Sequence, residues 1–462
     1  MQPPRSLWWS TLEQPVEARP SLTSDLSADV AIVGAGYSGL WTARELKRRD
    51  PQLKIVVFEK SVSGFGASGR NGGWASALYP LGYHAVLELH GIEATEHLRL
   101  LLQRAVDDLG HAIREDGLDA HFAKGGSLTF ARNQVQESRL RNEVADARER
   151  GLDEGDLRWL GEHELYDYGY VAGALGAVFN PHCARLNPAR LVRELSSAVE
   201  RLGVSLFENT AVTRIVPGSS TRRAKVISVG GTVSANVVVR ATEGFTPTLP
   251  GERRTVAPLY SLMIATEPQS AAFWNDAGFG QYATFADGRH AIIYGQRTAD
   301  DRIAFGGRGA PYHFGSSVEQ RFDEDRKTFH ALEHTLRELF PTFRGAITHR
   351  WGGPLALPRD REPSVTLDRD TGLAALGGYT GDGVVLSRVC AVALADLITD
   401  PATATDHTIL PFVHHQSRKW EYEPLRWLGI NAGRVLATRA DAVEHAGNES
   451  RASAMLLRLL GE

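Results

Sequence analysis

The sequence predicts an α/β fold divided into two lobes. Three observations carry this: a strand, glycine turn, helix and second strand follow in register over residues 28–60; strand, glycine turn and helix return at residues 373–398; and 462 residues are too many for one hydrophobic core.

Val30, Ile32 and Val33 form a short apolar run that stops at glycine, as a buried parallel strand entering a tight turn does. The turn, Gly34-Ala35-Gly36-Tyr37-Ser38-Gly39, fits G-x-G-x-x-G. Leu40, Ala43 and Leu46 then recur at helical spacing until Asp50-Pro51 ends the helix, and Ile55 to Phe58 is a second apolar strand closed by Glu59. Each part has a task if a dinucleotide lies here. Gly34 permits the turn, Gly36 leaves room for a pyrophosphate, and Gly39 lets the helix lie close on the strand. Backbone N–H groups of the turn, which includes Tyr37 and Ser38, and the positive end of the helix dipole meet the phosphates. Glu59 stands about twenty residues beyond the last glycine, where a carboxylate accepts from a ribose 2′-OH and repels a 2′-phosphate. The ligand is then FAD or NAD rather than NADP, and Lys60 is counted in the same site.

A second match, Gly64-Phe65-Gly66-Ala67-Ser68-Gly69, is discounted because no amphipathic helix follows for a phosphate to cap. Hydrophobic content of 42% and charged content of 23% are ordinary for a globular protein, and a net charge of −4 without a long basic run argues against nucleic acid as a partner. Cys183 and Cys390, the two cysteines, make neither a disulfide framework nor a cysteine metal site. With no H-E-x-x-H spacing, no metal is expected, and His182 and the pair His414-His415 read as structural. Neither a leader peptide nor a stretch of roughly 18 apolar residues is visible, so a cytoplasmic location without a membrane span is the expectation.

Residues 1–27 read as a polar arm whose Trp8-Trp9 pin it to the surface. The loop at residues 61–80 sets Gly64, Gly66, Gly69, Gly72 and Gly73 around Ser68, Arg70, Asn71 and Trp74, and is suited to wrap a cofactor. Helices are expected at 88–115, 134–150, 187–202, 329–340 and 384–398, with a largely helical tail at 418–462 that includes Leu456, Leu457 and Leu459. Strands are expected at 122–130, 204–207, 212–216, 224–229, 233–239, 258–266, 291–307 and 373–376, and no period is clear at 166–179. The strand at 233–239 stops at Ala241-Thr242-Glu243-Gly244, a strand end beside a glycine turn, where open α/β sheets bind ligands. Its place suggests that the first sheet is rejoined there after an excursion. At 377–383 a further glycine turn points its amides and a helix N-terminus toward a ligand.

The fingerprint at 34–39, SGRNGG, ATEGF…LPG and GYTGDGV together resemble the D-amino-acid-oxidase superfamily of FAD enzymes. SLWW, GFGASGRNGGWASALYP and FGGRGAPYHFG are most similar to its γ-glutamylputrescine oxidase branch, and the likeness spans residues 5–400. The resemblance implies a Rossmann-type FAD-binding domain built from discontinuous segments, 28–90, 181–250 and 346–405. It also implies an α+β substrate domain at 91–180 and 251–345, whose antiparallel sheet roofs the flavin, with an arm at 1–27 and a C-terminal helical tail at 406–462. In that scheme Gly34, Gly36 and Gly39 hold the pyrophosphate and Glu59 the ribose. Ser68, Arg70, Asn71 and Gly72 run beside pyrophosphate and flavin, Val212, Ala241 and Thr242 belong to the same site, and Gly381, Asp382, Gly383 and Val384 cap the flavin pyrimidine edge. Sarcosine oxidases tether their flavin through a cysteine near the place of Trp351-Gly352. None stands here, so the FAD is expected to be noncovalent.

The implied activity is oxidation of a primary or secondary amine, an amino acid or polyamine-like molecule, by hydride transfer to flavin N5. The resulting imine hydrolyses, and oxygen reoxidises the flavin to give hydrogen peroxide; an amine dehydrogenase or complex subunit that feeds a carrier is the alternative. A non-catalytic FAD-holding protein is a further reading. Apolar walls favour the neutral amine, and Trp74, Tyr260, Trp351 and Tyr379 are the candidates for them. Arg302 and Arg308 could attract a carboxylate or stabilise superoxide, or simply make salt bridges, and Asp382 could orient an amine or accept backbone N–H groups. Oligomeric state is left open.

Overall fold

Both faces of the strand Leu26–Val33 are buried, which explains its unbroken apolar run. Val30 and Ile32 enter one core, Ala31 and Val33 another. The computed structural model describes residues 4–307, 309, 311–400 and 402–448. In it this strand lies inside a sheet ordered Ser364–Asp368, Leu373–Gly377, Gly231–Arg240, Leu26–Val33, Ile55–Phe58, Ser205–Phe207. Neighbours run parallel except at the outer Ser364–Asp368 edge. The helices Tyr37–Arg49, Tyr83–Glu115, Pro188–Arg201 and Gly383–Thr399 share the core on one face. On the other, Val212–Val216 and Ala224–Ser228 fold back antiparallel from Gly231–Arg240 and close a smaller core around Val226 and Phe58.

A second sheet runs Ile347–Leu357, Ala257–Thr266, Ile303–Gly307, Ile293–Arg297, Thr284–Asp287, Ser127–Ala131, Gly176–Asn180, Arg158–Gly161. Every neighbouring pair is antiparallel but Thr284–Asp287 with Ser127–Ala131. Its outer face packs on the helix Arg326–Leu339 through Leu262, Ile264, Phe305, Phe329 and Leu336. The expected class, an α/β lobe made of separated segments beside an α+β lobe with a largely antiparallel sheet, is the one found.

Several elements depart from expectation. Ile347–Leu357 is a continuous strand of the second sheet although it holds Gly352-Gly353-Pro354; as the edge strand it tolerates a proline without a ladder N–H. This segment therefore lies with the second lobe rather than inside 346–405 of the first. Conversely, the helix Tyr83–Glu115 buries Leu98, Leu102, Val106 and Leu109 in the first lobe's core, whereas the resemblance implies the second lobe for 91–180. Residues 166–179 contain the end of a helix, Glu162–Tyr168, and the start of the strand Gly176–Asn180, and a short helix at Ala271–Ala277 has no counterpart in the sequence reading. The tail helix is Leu425–His445, while Leu456, Leu457 and Leu459 lie outside the described residues.

Trp8 and Trp9 are not surface pins. They sit on a one-turn helix, Leu7–Ser10, capped by Ser6, and are 2% and 6% exposed between the lobes beside Met263, Ala265 and Trp351. Aromatic bulk in a polar arm signals anchoring without saying how deep. Among the described residues no helix is long and apolar enough to cross a membrane.

Candidate cofactor site

Leu26–Val33, Gly231–Arg240 and Leu373–Gly377 are adjacent parallel strands, so their C-terminal ends open onto one edge of the sheet. Gly34 takes φ +113°, and a Cβ there would strike the Ala241 carbonyl oxygen. At Gly39 a Cβ would strike the Gly34 carbonyl oxygen, so helix and strand meet only through glycine. Ala241 is fixed to the central strand by its N–H, which donates to the Val33 carbonyl at 2.9 Å. Gly36 caps the helix Tyr37–Arg49 without a side chain, and no acidic residue occupies its first turn. The Tyr37 N–H donates to Ser68 Oγ at 2.9 Å, which brings the loop at 61–80 over the turn.

Glu59 closes the neighbouring strand. Its carboxylate accepts from the Ala35 N–H at 3.2 Å and from the Ser61 N–H at 2.9 Å, and burial pushes its pKa up to about 7. The acid is thereby locked beside the glycine turn. Val212 begins its strand two residues after Thr210, whose N–H donates to the Glu59 carbonyl at 2.8 Å. Lys60 is exposed.

The second and third strand ends are tied by a residue that the sequence reading quoted only inside a motif. Glu243, at φ +42°, accepts from the N–H groups of Gly378 and Tyr379, each at 3.2 Å, and burial pushes its pKa up to about 7 as well. An acid immediately after an apolar strand was the available signal. Thr242 precedes it and shares a hydroxyl contact of 2.9 Å with Thr246. The turn continues through Thr380 and Gly381, both at positive φ, to Asp382 at the N-cap and Gly383 and Val384 in the first turn of the helix Gly383–Thr399. The Asp382 N–H donates to the Tyr379 carbonyl at 2.9 Å. No acidic residue occupies this helix's first turn either, so two positive dipole ends face the same edge.

Much of the loop at 61–80 spans the lobes. Arg70 Nη1 donates to Asp323 at 2.7 Å and to the Gly352 carbonyl at 2.9 Å. The side chain of Asn71 is spent on its own loop, donating to the carbonyls of Ala67 and Ser68 and accepting from Gly73. A Cβ on Gly72 would come within 2.6 Å of the Tyr294 ring.

Of the candidate substrate-contacting residues, Trp74 and Trp351 lie between the lobes. Trp74 meets the Tyr294 ring edge-on with centroids 6.4 Å apart, and its Nε1 donates to the Gly295 carbonyl at 3.3 Å. Trp351 packs edge-on to Trp8 and donates to the Arg70 carbonyl at 2.9 Å. Tyr260 does not join them: it pairs with Pro354, whereas Trp351 pairs with Met263, so the two side chains leave opposite faces of the sheet. Tyr260 packs instead on His313 and Phe322. Tyr379 is buried in the first lobe's core. Arg302 sits in a hairpin turn, bound to Asp300 at 2.7 Å and to the Thr266 carbonyl at 3.0 Å, the salt-bridge outcome. Arg308 lies outside the described residues.

Backbone contacts at Gly34 and Gly39 that a Cβ would break, two helix N-termini with no acidic residue in their first turns and an acid held at the glycine turn form the set that an adenine dinucleotide needs, so the residues present fit FAD.

Comparison with known proteins agrees. A "probable oxidoreductase OrdL" of Haemophilus influenzae is 25% identical over 82% of this chain and 84% of its own. The gamma-glutamylputrescine oxidoreductase of Escherichia coli is 26% identical over 84% of this chain and 87% of its own. Glycine oxidase from Geobacillus kaustophilus shares the fold, with a TM-score of 0.69 and 21% identity over 84% of this chain and 99% of that one. The family model described as FAD dependent oxidoreductase matches residues 29–397, and the chain belongs to that family.

Proposed function

We propose that the protein oxidises an amine at its C–N bond and passes the electrons to molecular oxygen, releasing hydrogen peroxide. FAD, when bound, supplies an acceptor for two electrons and a proton equivalent as hydride. The observation that carries the reading is the aromatic cluster between the lobes, where Trp74, Tyr294 and Trp351 stand near the loop that covers the glycine turn. Such walls disfavour the ammonium form and leave the nitrogen lone pair free to stabilise positive charge as the neighbouring C–H bond breaks. The loop at 61–80 and the arm at Trp8 and Trp9 exclude water from behind this cluster. Two relatives, the gamma-glutamylputrescine oxidoreductase and the glycine oxidase, carry amine and amino-acid names that support the same reading. It includes noncovalent FAD and a cytoplasmic location.

The test is an anaerobic screen of primary amines, secondary amines and amino acids, following loss of the yellow flavin absorbance, with air admitted afterwards. Bleaching followed by recolouring and peroxide is the expected result. Bleaching without recolouring in air would assign the electrons to a carrier instead, and no bleaching by any amine would end the proposal.

A further inference from the structure

The first lobe's sheet has a second opening, on the face turned away from its helices. Val239 enters the core that those helices share, whereas Val238 enters the smaller core behind the sheet. Arg240 lies two residues beyond Val238, and side chains alternate along a strand, so it leaves by the rear face. There it lines a cavity of about 590 Å³ whose apolar walls include Val238, Leu249, Leu373 and Ala375, the last its neighbour on the adjoining strand. That volume falls within the roughly 300–1,000 Å³ of small-molecule sites. Among the described residues none of those at the glycine turn, at Glu59, at 241–243 or at 377–384 lines this cavity, which separates it from the cofactor site.

Two acids and two arginines line the cavity, and they are not spent alike. Asp368 is turned to its own loop, accepting from the N–H groups of Asp370 at 3.0 Å and Thr371 at 3.3 Å and from the Thr371 hydroxyl at 2.7 Å. Glu252 accepts from the Thr255 hydroxyl at 2.6 Å. Arg240 donates to the Thr246 hydroxyl at 3.1 Å, and among the described residues neither it nor Arg214 forms an ion pair. Burial lowers the Arg240 pKa although Glu252 and Glu243 pull the other way. A guanidinium that has lost water and gained one hydroxyl is costly, and an arriving anion offsets that cost. Its planar fork matches two oxygens of a single anionic group.

We propose that this cavity is a second ligand site, which takes an organic oxyanion carried on an apolar body. Arg240 holds the oxyanion, Arg214 adds to the positive field, and Val238, Leu249 and Leu373 receive the body. The site stands apart from amine oxidation, and its test needs no turnover. The probe is sodium 2-naphthalenesulfonate, titrated calorimetrically at constant ionic strength into the FAD-loaded protein, with 2-naphthalenesulfonamide as the uncharged control. Wild type binds the sulfonate, and Arg240→Met, which keeps the stem and removes the charge, binds it about fivefold or more weakly, the scale of a charge-assisted hydrogen bond. The sulfonamide does not distinguish the two proteins. No binding by wild type overturns the proposal. A loss under about fivefold also overturns it, because the anion then sits elsewhere, between the lobes for example. An equal loss for the sulfonamide does the same, because shape rather than charge is then at stake. Should Arg240→Met fail to fold or to hold FAD, Pro250→Glu decides by the same line: the residue is exposed at the cavity, and a carboxylate there repels the probe while leaving the interior of the sheet untouched.

Discussion

The Ser38 hydroxyl and the Tyr379 phenol are 2.8 Å apart in the buried interior, joining the first turn of one long helix to the glycine turn that begins another. These two helix starts lie more than three hundred residues apart in sequence, and this contact joins them beside the apolar packing that the two helices share. Tyr379→Phe keeps the ring and removes only the bond. The expected cost is about 1–3 kcal/mol, because the Ser38 hydroxyl stays behind in a buried place. Flavin retention should fall with it. Thermal melts and the flavin-to-protein absorbance ratio check both, and a variant with an unaltered melt and full flavin would show that the bond holds nothing in place.

The glycines of the first turn should fail in different ways. At Gly39 the obstacle is the backbone carbonyl of Gly34, which cannot move without lifting the helix off the strand, so Gly39→Ala should lose folded protein. At Gly36 a Cβ meets only Ser68 Oγ, at 2.8 Å, the end of a side chain that can rotate away. Gly36→Val should therefore fold yet lose flavin, since the added bulk stands where the phosphates approach. Circular dichroism separates the two outcomes; a yellow, fully loaded Gly36→Val would contradict the assignment of the turn.

What the sequence could show follows from how local each constraint is. The turn at Gly34 and Gly39 is legible because strand, glycine and helix are neighbours in the chain, and only glycine satisfies their contact. The strand Ile347–Leu357 was hidden because Gly352-Gly353-Pro354 is turn chemistry everywhere except on a sheet edge, and edge position is a tertiary fact. Alternation in Ala257–Thr266 shows that Tyr260 and Met263 leave opposite faces, but not which face looks toward the first lobe.

Stability should depend on pH through two buried acids. Burial pushes Glu59 and Glu243 up to about 7, against about 4.3 for an ordinary glutamate. Between these values the folded protein holds protons that the unfolded chain has released, so the stabilisation present at low pH is lost as pH rises through about 7. Each acid contributes on the order of 1–3 kcal/mol to that loss, discounted because both keep some exposed surface. For flavin-stripped protein, the melting temperature of Glu243→Gln should decline less between pH 5 and pH 8 than that of wild type. Parallel declines would show that Glu243 does not titrate in this range.

The flavin should come away whole. Cys183 and Cys390, the chain's two cysteines, are both buried, and burial pushes their thiols up, Cys183 to about 12, so neither offers a thiolate for a covalent bond. Trichloroacetic acid should leave all the yellow colour in the supernatant, and a coloured pellet would point to a link through another side chain.

Arg70 and Asp323 form an ion pair whose members come from the glycine loop and from the far side of the second sheet, so it should help to hold the lobes in register. The Arg70 side chain is 4% exposed and that of Asp323 is 18%, and burial raises the Asp323 pKa against the pull of Arg70. Removing one partner strands the other charge. Arg70→Met leaves Asp323 beside the Gly352 carbonyl with no cation, and Asp323→Leu leaves a guanidinium that only carbonyl oxygens satisfy. Each single change should cost about 3–5 kcal/mol. The double variant Arg70→Met with Asp323→Leu strands no charge and should recover most of that loss in a double-mutant cycle, because the desolvation penalty disappears together with the attraction. If the double variant is instead as unstable as the sum of the singles, the two residues act independently, and the alignment of the lobes rests on the packing of Trp8, Trp351 and Met263.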